Sequence, residues 1–252
     1  MTDPARYREW RAAPALARHV VCTWAGQFGE AGEQYTDRVL PDGCVDIVWA
    51  DGSLVLAGPD TRAVPLEWRP GARFAGIRFR PGLAPAVLGV PASAVRDTWA
   101  ALADVIGDRA CALDDQLRRA PSLPAAASVL AGAVQAWLPA AAAPDRLVEA
   151  AVATLRGSEA PHPVASLAGQ LGVSERQLHR RFVAAVGYGP KLLHRILRFR
   201  RFLRLAAGAT GDGVAALAQD AGYADHAHLV RDCQELAGLP PTRLIGGLIT
   251  AG

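Results

Sequence analysis

At 252 residues, with 51% hydrophobic and 20% charged side chains, the chain is too apolar for a disordered tail and long enough for two domains that each bury a core. Its net charge of +3 hides an asymmetry: residues 1–144 hold 14 basic and 15 acidic side chains, residues 145–252 hold 13 and 9. A basic C-terminal half beside a neutral N-terminal half points to one region that meets a polyanion and one that does not. The four cysteines, Cys22, Cys44, Cys111 and Cys233, show no CxxC spacing, which argues against a zinc ribbon or a redox pair and fits reduced thiols. The opening MTDPARYREW is polar, and no apolar run is expected to reach the ~18 residues of a membrane span. A cytoplasmic, nucleoid-associated protein with no membrane partner is therefore expected.

In chain order, Val20–Phe28, Cys44–Trp49, Leu54–Ala57, Ala63–Trp68 and Arg73–Arg80 read as strands, from alternation and from β-branched and aromatic content. Pro41-Asp42-Gly43, Asp51-Gly52, Gly58-Pro59 and Pro70-Gly71 punctuate them as turns. Ala84–Leu88, Ala92–Trp99, Leu113–Arg119 and Ala125–Trp137 read as short helices. PAAAAP, Pro139–Pro144, reads as a linker, and helices separated by Gly and Pro follow it. The expected architecture is an α+β N-terminal domain over 1–138, a small barrel-like antiparallel sheet plus helices. After the linker at 139–144 comes an all-α domain over 145–252, with two helix-turn-helix units joined by a long helix.

Those two units announce themselves as an internal repeat. VASLAGQLGV (Val164–Val173) and VAALAQDAGY (Val214–Tyr223) align at a spacing of 50, with Leu167 on Leu217 and Gly172 on Gly222. Past the turn the spacing becomes 51, which pairs Leu178 with Leu229, Arg180 with Arg231, Gly187 with Gly238 and Pro190 with Pro241. One residue inserted after the second turn accounts for the slip. In each half an Ala sits where two helices cross closely, and a Gly follows the first helix where the chain turns sharply. Ser174 and Asp225 are placed to cap the second helix of each pair. Leu178 and Phe182, and then Leu229 and Cys233, turn inward. That leaves Arg176, His179 and Arg180 outward in the first unit, and His226, Ala227 and Arg231 in the second. Gln177 and His228 neighbour these sets and complete the expected contact residues.

The long helix, expected over Pro190–Ala206, begins on a proline in its first turn. Nine basic residues and no acidic one lie between Arg176 and Arg204. Such a run neutralises phosphates and releases counterions, and Arg195, Arg198 and Arg201 are the expected phosphate contacts. A helix of this length, with flanking turns, sets two recognition helices about one duplex turn (~34 Å) apart.

These stretches resemble the AraC/XylS family of bacterial transcription regulators. The resemblance runs over about residues 145–246 and is carried by LAGQLGVSERQLHRRFVAAVGYGP (Leu167–Pro190), the basic long helix and LAQDAGYADHAHLVRDCQELAGLPPTRL (Leu217–Leu244). It implies a double helix-turn-helix domain that binds double-stranded promoter or operator DNA, with groove-facing positions at Arg176, His179 and Arg180 and at His226, Ala227 and Arg231. The chain departs from the family pattern where Cys233 replaces an aromatic, where Gln234 replaces a basic residue, and where Ala227 is too short to read a base. The second unit is accordingly expected to read sequence less sharply than the first. VLPDGCVDIVW (Val39–Trp49) and FAGIRFRPGLAPAVLGVPASAV (Phe74–Val95) resemble an uncharacterised domain that precedes DNA-binding regions of this type, which implies sensing or self-association.

The N-terminal region admits a functional and a structural reading. Trp24, Trp49 and Trp68 with Asp42 and Asp46 would line an aromatic pocket for a small cationic or polar effector, or they serve a core and a tight turn. A cupin-type metal centre needs several His ligands, and residues 1–161 contain only His19. No nucleophile–base motif or phosphate loop stands out, so no catalytic residue, metal or cofactor is expected. The alternative to a regulator is a DNA-tethered repair or modification enzyme. Besides DNA, the expected partners are a small-molecule effector, a second copy of the chain, and RNA polymerase if the protein activates.

Overall fold

The computed structural model describes residues 7–30, 35–158, 162–209 and 213–249; the outer limits expected for the two domains, residues 1 and 252, lie outside these. The N-terminal region is built on β1 (Arg8–Arg11), β2 (Val20–Gln27), β3 (Tyr35–Val39), β4 (Val45–Ala50), β5 (Ser53–Ala57), β6 (Val64–Trp68), β7 (Arg73–Phe79) and β8 (Trp99–Ala101). Six of these form an antiparallel sheet in the order β1-β2-β7-β4-β5-β8, and β3 pairs with β6 in a separate two-stranded ribbon. Asp51-Gly52 makes the two-residue turn between β4 and β5, closing the register at Ala50 opposite Ser53.

Alternation assigns each face of the sheet its own core. Ile47, Leu56, Ile77 and Phe79 point to one side. Against that side pack α1 (Ala84–Leu88), α2 (Leu102–Ile106), α3 (Asp108–Arg118) and α4 (Leu123–Trp137). Cys22, Trp24, Val48 and Phe74 point to the other side, where Tyr35 and Trp68 of the ribbon close over them. Both faces of β4 and β7 are therefore covered, which is why VDIVWA and RFAGIRF read as nearly continuous apolar runs.

Two expectations change here. Ala92–Trp99 is not a helix: only a short 3-10 turn forms over Ala92–Ala94, and Trp99 opens β8 instead. Asp97 takes a left-handed backbone (φ 55°), which no helix accommodates. The 18-residue stretch Leu123–Ala140, with mean hydropathy 1.3, does meet the length and composition of a membrane span, contrary to the expectation that none would. It packs on the sheet through Ala126, Leu130 and Val134.

The C-terminal region is helical throughout: α5 (Arg146–Gly157), α6 (Val164–Gln170), α7 (Glu175–Val186), α8 (Pro190–Gly208), α9 (Val214–Asp220), α10 (His226–Ala237) and α11 (Pro241–Ile249). Its core is separate from those of the sheet region and gathers Leu155, Leu167, Phe182, Phe199, Phe202 and Leu229 around α8. Asp145 caps α5 through its side chain and pairs with Arg181 of α7 at 2.6 Å, which holds its carboxyl below the usual carboxylate range.

The two regions meet at the C-terminal ends of α7 and α10. The Ala63 amide donates to the Leu236 carbonyl at 2.7 Å, and Arg38 Nη1 donates to the Ala237 carbonyl at 3.1 Å. Gly187, just past α7, takes a left-handed backbone (φ 96°), and a Cβ there would stand 2.5 Å from Pro59. Only glycine satisfies both the turn and the approach. Arg18 adds a pair to Glu149 at 2.9 Å.

Candidate nucleic-acid interface

In the first unit α6 crosses α7 at Ala168, which is 2% exposed, and the equivalent Ala218 in the second unit is also 2% exposed. Gly172 (φ 66°) and Gly222 (φ 88°) turn the chain between the paired helices, a conformation that L side chains rarely adopt. The Val173 amide then donates back to the Ala168 carbonyl, and the Tyr223 amide to the Ala218 carbonyl. Ser174 caps its helix two positions after Gly172, and Asp225 caps its helix three positions after Gly222; this is the insertion read from the repeat.

Ser174 Oγ accepts from the Gln177 amide at 3.2 Å while Gln177 Oε1 accepts from the Ser174 amide at 3.1 Å. Asp225 Oδ1 accepts from the His228 amide at 2.6 Å. Leu178, Phe182, Leu229 and Cys233 are all fully buried, which fixes the rotation of both helices. Arg176, His179 and Arg180 are consequently exposed on α7, and His226, Ala227 and Arg231 on α10. Between the units α8 runs 19 residues, about 28 Å at ~1.5 Å per residue.

The other expected contact residues are arranged differently. Gln177 spends its carbonyl oxygen on the cap of its own helix. Arg195 and Arg198 do not form an outward phosphate stripe. Arg195 bonds Asp232 Oδ1 at 2.8 Å and pairs with Glu235, and Arg198 bonds Asp232 Oδ2 at 2.9 Å. Arg198 is 8% exposed, with its guanidinium 4.6 Å from the Tyr223 ring centroid and Nη2 2.9 Å from His228 Nε2. Burying a guanidinium this deep is costly without a counterion, and Asp232, 2% exposed, supplies one. Arg201 is half-buried on α8. Sequence reasoning misses Asp232, although an acid beside Cys233 on the inward stripe of α10, facing a cationic run with no acid of its own, is a legible pairing signal.

In the N-terminal region the five effector candidates do not converge. Trp24 and Trp68 lie in one aromatic cluster with Phe28, Tyr35 and Phe74, whereas Trp49 packs on the opposite face of the sheet. The period of two along β4 separates Trp49 from Asp46 in this way. Both carboxylates are already engaged by Arg78, Asp42 at 3.3 Å and Asp46 at 3.1 Å, and Trp24 Nε1 also donates to Asp46 at 3.2 Å. Burial pushes the Asp46 carboxyl up to about 6 against the pull of Arg78. A cationic effector would have to displace a guanidinium there. Arg78, the residue that decides this, gives no signal in the strand pattern.

Among the described residues no three His, Cys, Asp or Glu side chains converge as a metal site. All four cysteines are free; burial raises the thiols of Cys22, to about 11, and of Cys44 and Cys233.

Comparisons with known proteins divide the chain similarly. A family model described as a helix-turn-helix domain matches residues 167–246, and a domain of unknown function (DUF6597) matches residues 8–100. No curated protein matches significantly. Among solved structures, a transcriptional regulator with an AraC-type DNA-binding domain from Chromobacterium violaceum is 22% identical, covering 42% of this chain and 95% of its own, with a TM-score of 0.39. A probable AraC family transcriptional regulator from Rhodopseudomonas palustris CGA009 is 23% identical over 41% of this chain and 98% of its own, with a TM-score of 0.38. ToxT from Vibrio cholerae O395 is 9% identical over 86% of this chain and 97% of its own, with a TM-score of 0.46.

Proposed function

Since residues 167–246 match a helix-turn-helix domain and resemble the AraC/XylS family, we propose that the protein regulates transcription by reading promoter DNA through α7 and α10 in neighbouring major grooves. Arg176, His179 and Arg180 would face the first groove, and His226, Ala227 and Arg231 the second, with His228 at the edge of that set. One observation carries the reading. Two equivalent helices, each capped at its start and fixed in rotation by a fully buried stripe, leave equivalent arginines, Arg180 and Arg231, exposed on two units joined by one connecting helix.

The working division is an N-terminal sensor or self-association domain over 1–138, a linker at 139–144 and the DNA-binding domain over 145–252. What supports a regulatory role for the first is its seat on the C-terminal ends of both recognition helices, through Pro59, Ala63 and Arg38. A small molecule or a second copy that shifts this seat would alter the spacing of the two helices, and so DNA occupancy. RNA polymerase enters as a partner if the bound protein activates.

The test is selection of a preferred duplex from a random library by the full chain, followed by anisotropy on that duplex across a salt series. Enrichment of a site with two elements about one turn apart, and log-linear loss of affinity with salt, is the expected result. An unenriched library, or binding indifferent to salt, rejects the reading.

A further inference from the structure

A cleft of about 510 Å³ opens between the two helix-turn-helix units, lined by the start of α6, one side of α8 and one side of α10. Its charge is unbalanced. Lys191, Arg195, Arg198 and Arg231 line it against only Asp232 and Glu235, two more cationic than acidic side chains. The acids are not shared evenly either. Asp232 is held by Arg195 and Arg198 together, and Glu235, among the described residues, by Arg195 alone.

Lys191 and Arg231 are exposed and make no ion pair among the described residues. Deeper in, Arg198 directs Nη2 to both Asp232 and His228, while its Nε, buried, has no hydrogen-bond partner among the described residues. His162 Nε2, also in the lining, is likewise buried without one among the described residues. A concave site with surplus cations is matched by an oxyanion that accepts several hydrogen bonds at once.

We propose that this cleft is a phosphate site, in which Lys191, Arg231 and Arg195 receive the phosphate group and Glu235 occupies Arg195 until the phosphate arrives. Glu235 suits the second role because it is the exposed member of the network, its side chain 60% accessible, while Asp232 at 3% is fixed. An exposed carboxylate–arginine pair is weakly held and exchanges readily for a stronger anion. The phosphate comes either from the backbone of a duplex bridging the two units or from a free phosphorylated metabolite. The first source rests on the DNA-binding reading above, and the second does not.

Two arms on the full chain separate the sources. In the first, the slope of log affinity against log salt is measured on the selected duplex; Lys191→Gln lowers its magnitude by about one if the backbone supplies the group. In the second, inorganic phosphate is titrated calorimetrically at constant ionic strength; saturable binding that Lys191→Gln weakens identifies a free anion. No change of slope together with no phosphate binding overturns the site. If the wild-type chain binds no duplex at all, the DNA reading has failed and the phosphate arm alone decides the cleft.

The role of Glu235 is read from a double-mutant cycle in whichever arm binds. Glu235→Gln tightens binding about two- to fivefold, the size of one exposed ion pair. That gain disappears in an Arg195→Gln background. A gain that survives loss of Arg195 is a general charge effect and overturns the role assigned to Glu235. Thermal melts of each variant confirm that folding is retained.

Discussion

Arg180 and Arg198 carry the same charge within one basic run, yet one is exposed and the other is buried. The difference lies in what stands opposite. Among the described residues no ion pair holds Arg180, whereas Arg198 meets Asp232 from the second helix-turn-helix unit, 34 residues on. This contrast sets two expected outcomes. Arg180→Ala costs ~1–3 kcal/mol of affinity on the selected duplex and relaxes preference at one base pair, since a bidentate base contact is worth about that much. Anisotropy on single-base variants of the site checks it, and equal loss on every variant reassigns Arg180 to the backbone. Asp232→Asn leaves a buried guanidinium uncompensated and lowers folding stability by about 3–5 kcal/mol. Urea denaturation measures this; a loss below about 1 kcal/mol would mean that Arg198 finds water.

At the scale of elements, the recognition helices are defined at both ends, each in its own way. The start of α7 is closed by the reciprocal Ser174–Gln177 pair and its end by Gly187 against Pro59. Ser174→Ala removes an acceptor from an orphan amide and lowers stability by ~1 kcal/mol, with no change in the preferred DNA site. Gly187→Ala is the harsher substitution, because the added methyl group meets both an unfavourable backbone angle and the Pro59 ring. It is expected to reduce the melting temperature and, by shifting α7 against the sheet region, to weaken DNA binding beyond the fraction unfolded. Comparing affinity per folded molecule for the two variants distinguishes a loss of seating from a loss of helix.

At the scale of the whole molecule, the joint between the sheet region and the recognition helices contains a buried acid. Asp60 is 7% exposed, its Oδ1 has no hydrogen-bond partner among the described residues, and it lies in the loop whose Pro59 meets Gly187 and whose Ala63 bonds Leu236. Burial, reinforced by the Asp97 charge, pushes its carboxyl up to about 7. The unfolded chain releases this proton near the ordinary carboxylate value of about 4, while the folded chain holds it to about 7. Between those values the folded state binds more protons, so the contribution of Asp60 to stability falls as pH rises through that window and then levels off. Asp60→Asn removes this dependence. Its melting temperature relative to wild type is expected to rise between pH 5 and pH 8; a constant offset across that range would show that Asp60 is ionised throughout.

Much of the C-terminal domain is legible from residues alone, because what defines a helix-turn-helix is local. The Ala168 and Ala218 crossings, the Gly172 and Gly222 turns and the Ser174 and Asp225 caps each act within a few positions, and the repeat states each of them twice. The strands around β4 and β7 are legible for the same reason, as apolar runs between turn residues. Long-range pairing is not. That Arg195 and Arg198 face Asp232, that Arg78 engages Asp42 and Asp46, and that Trp49 separates from Trp24 and Trp68 across the sheet all depend on which surfaces meet after folding. A charge in a sequence has a sign but no partner. Desolvation makes partner choice the dominant energy for a buried ion, and only the tertiary structure supplies it.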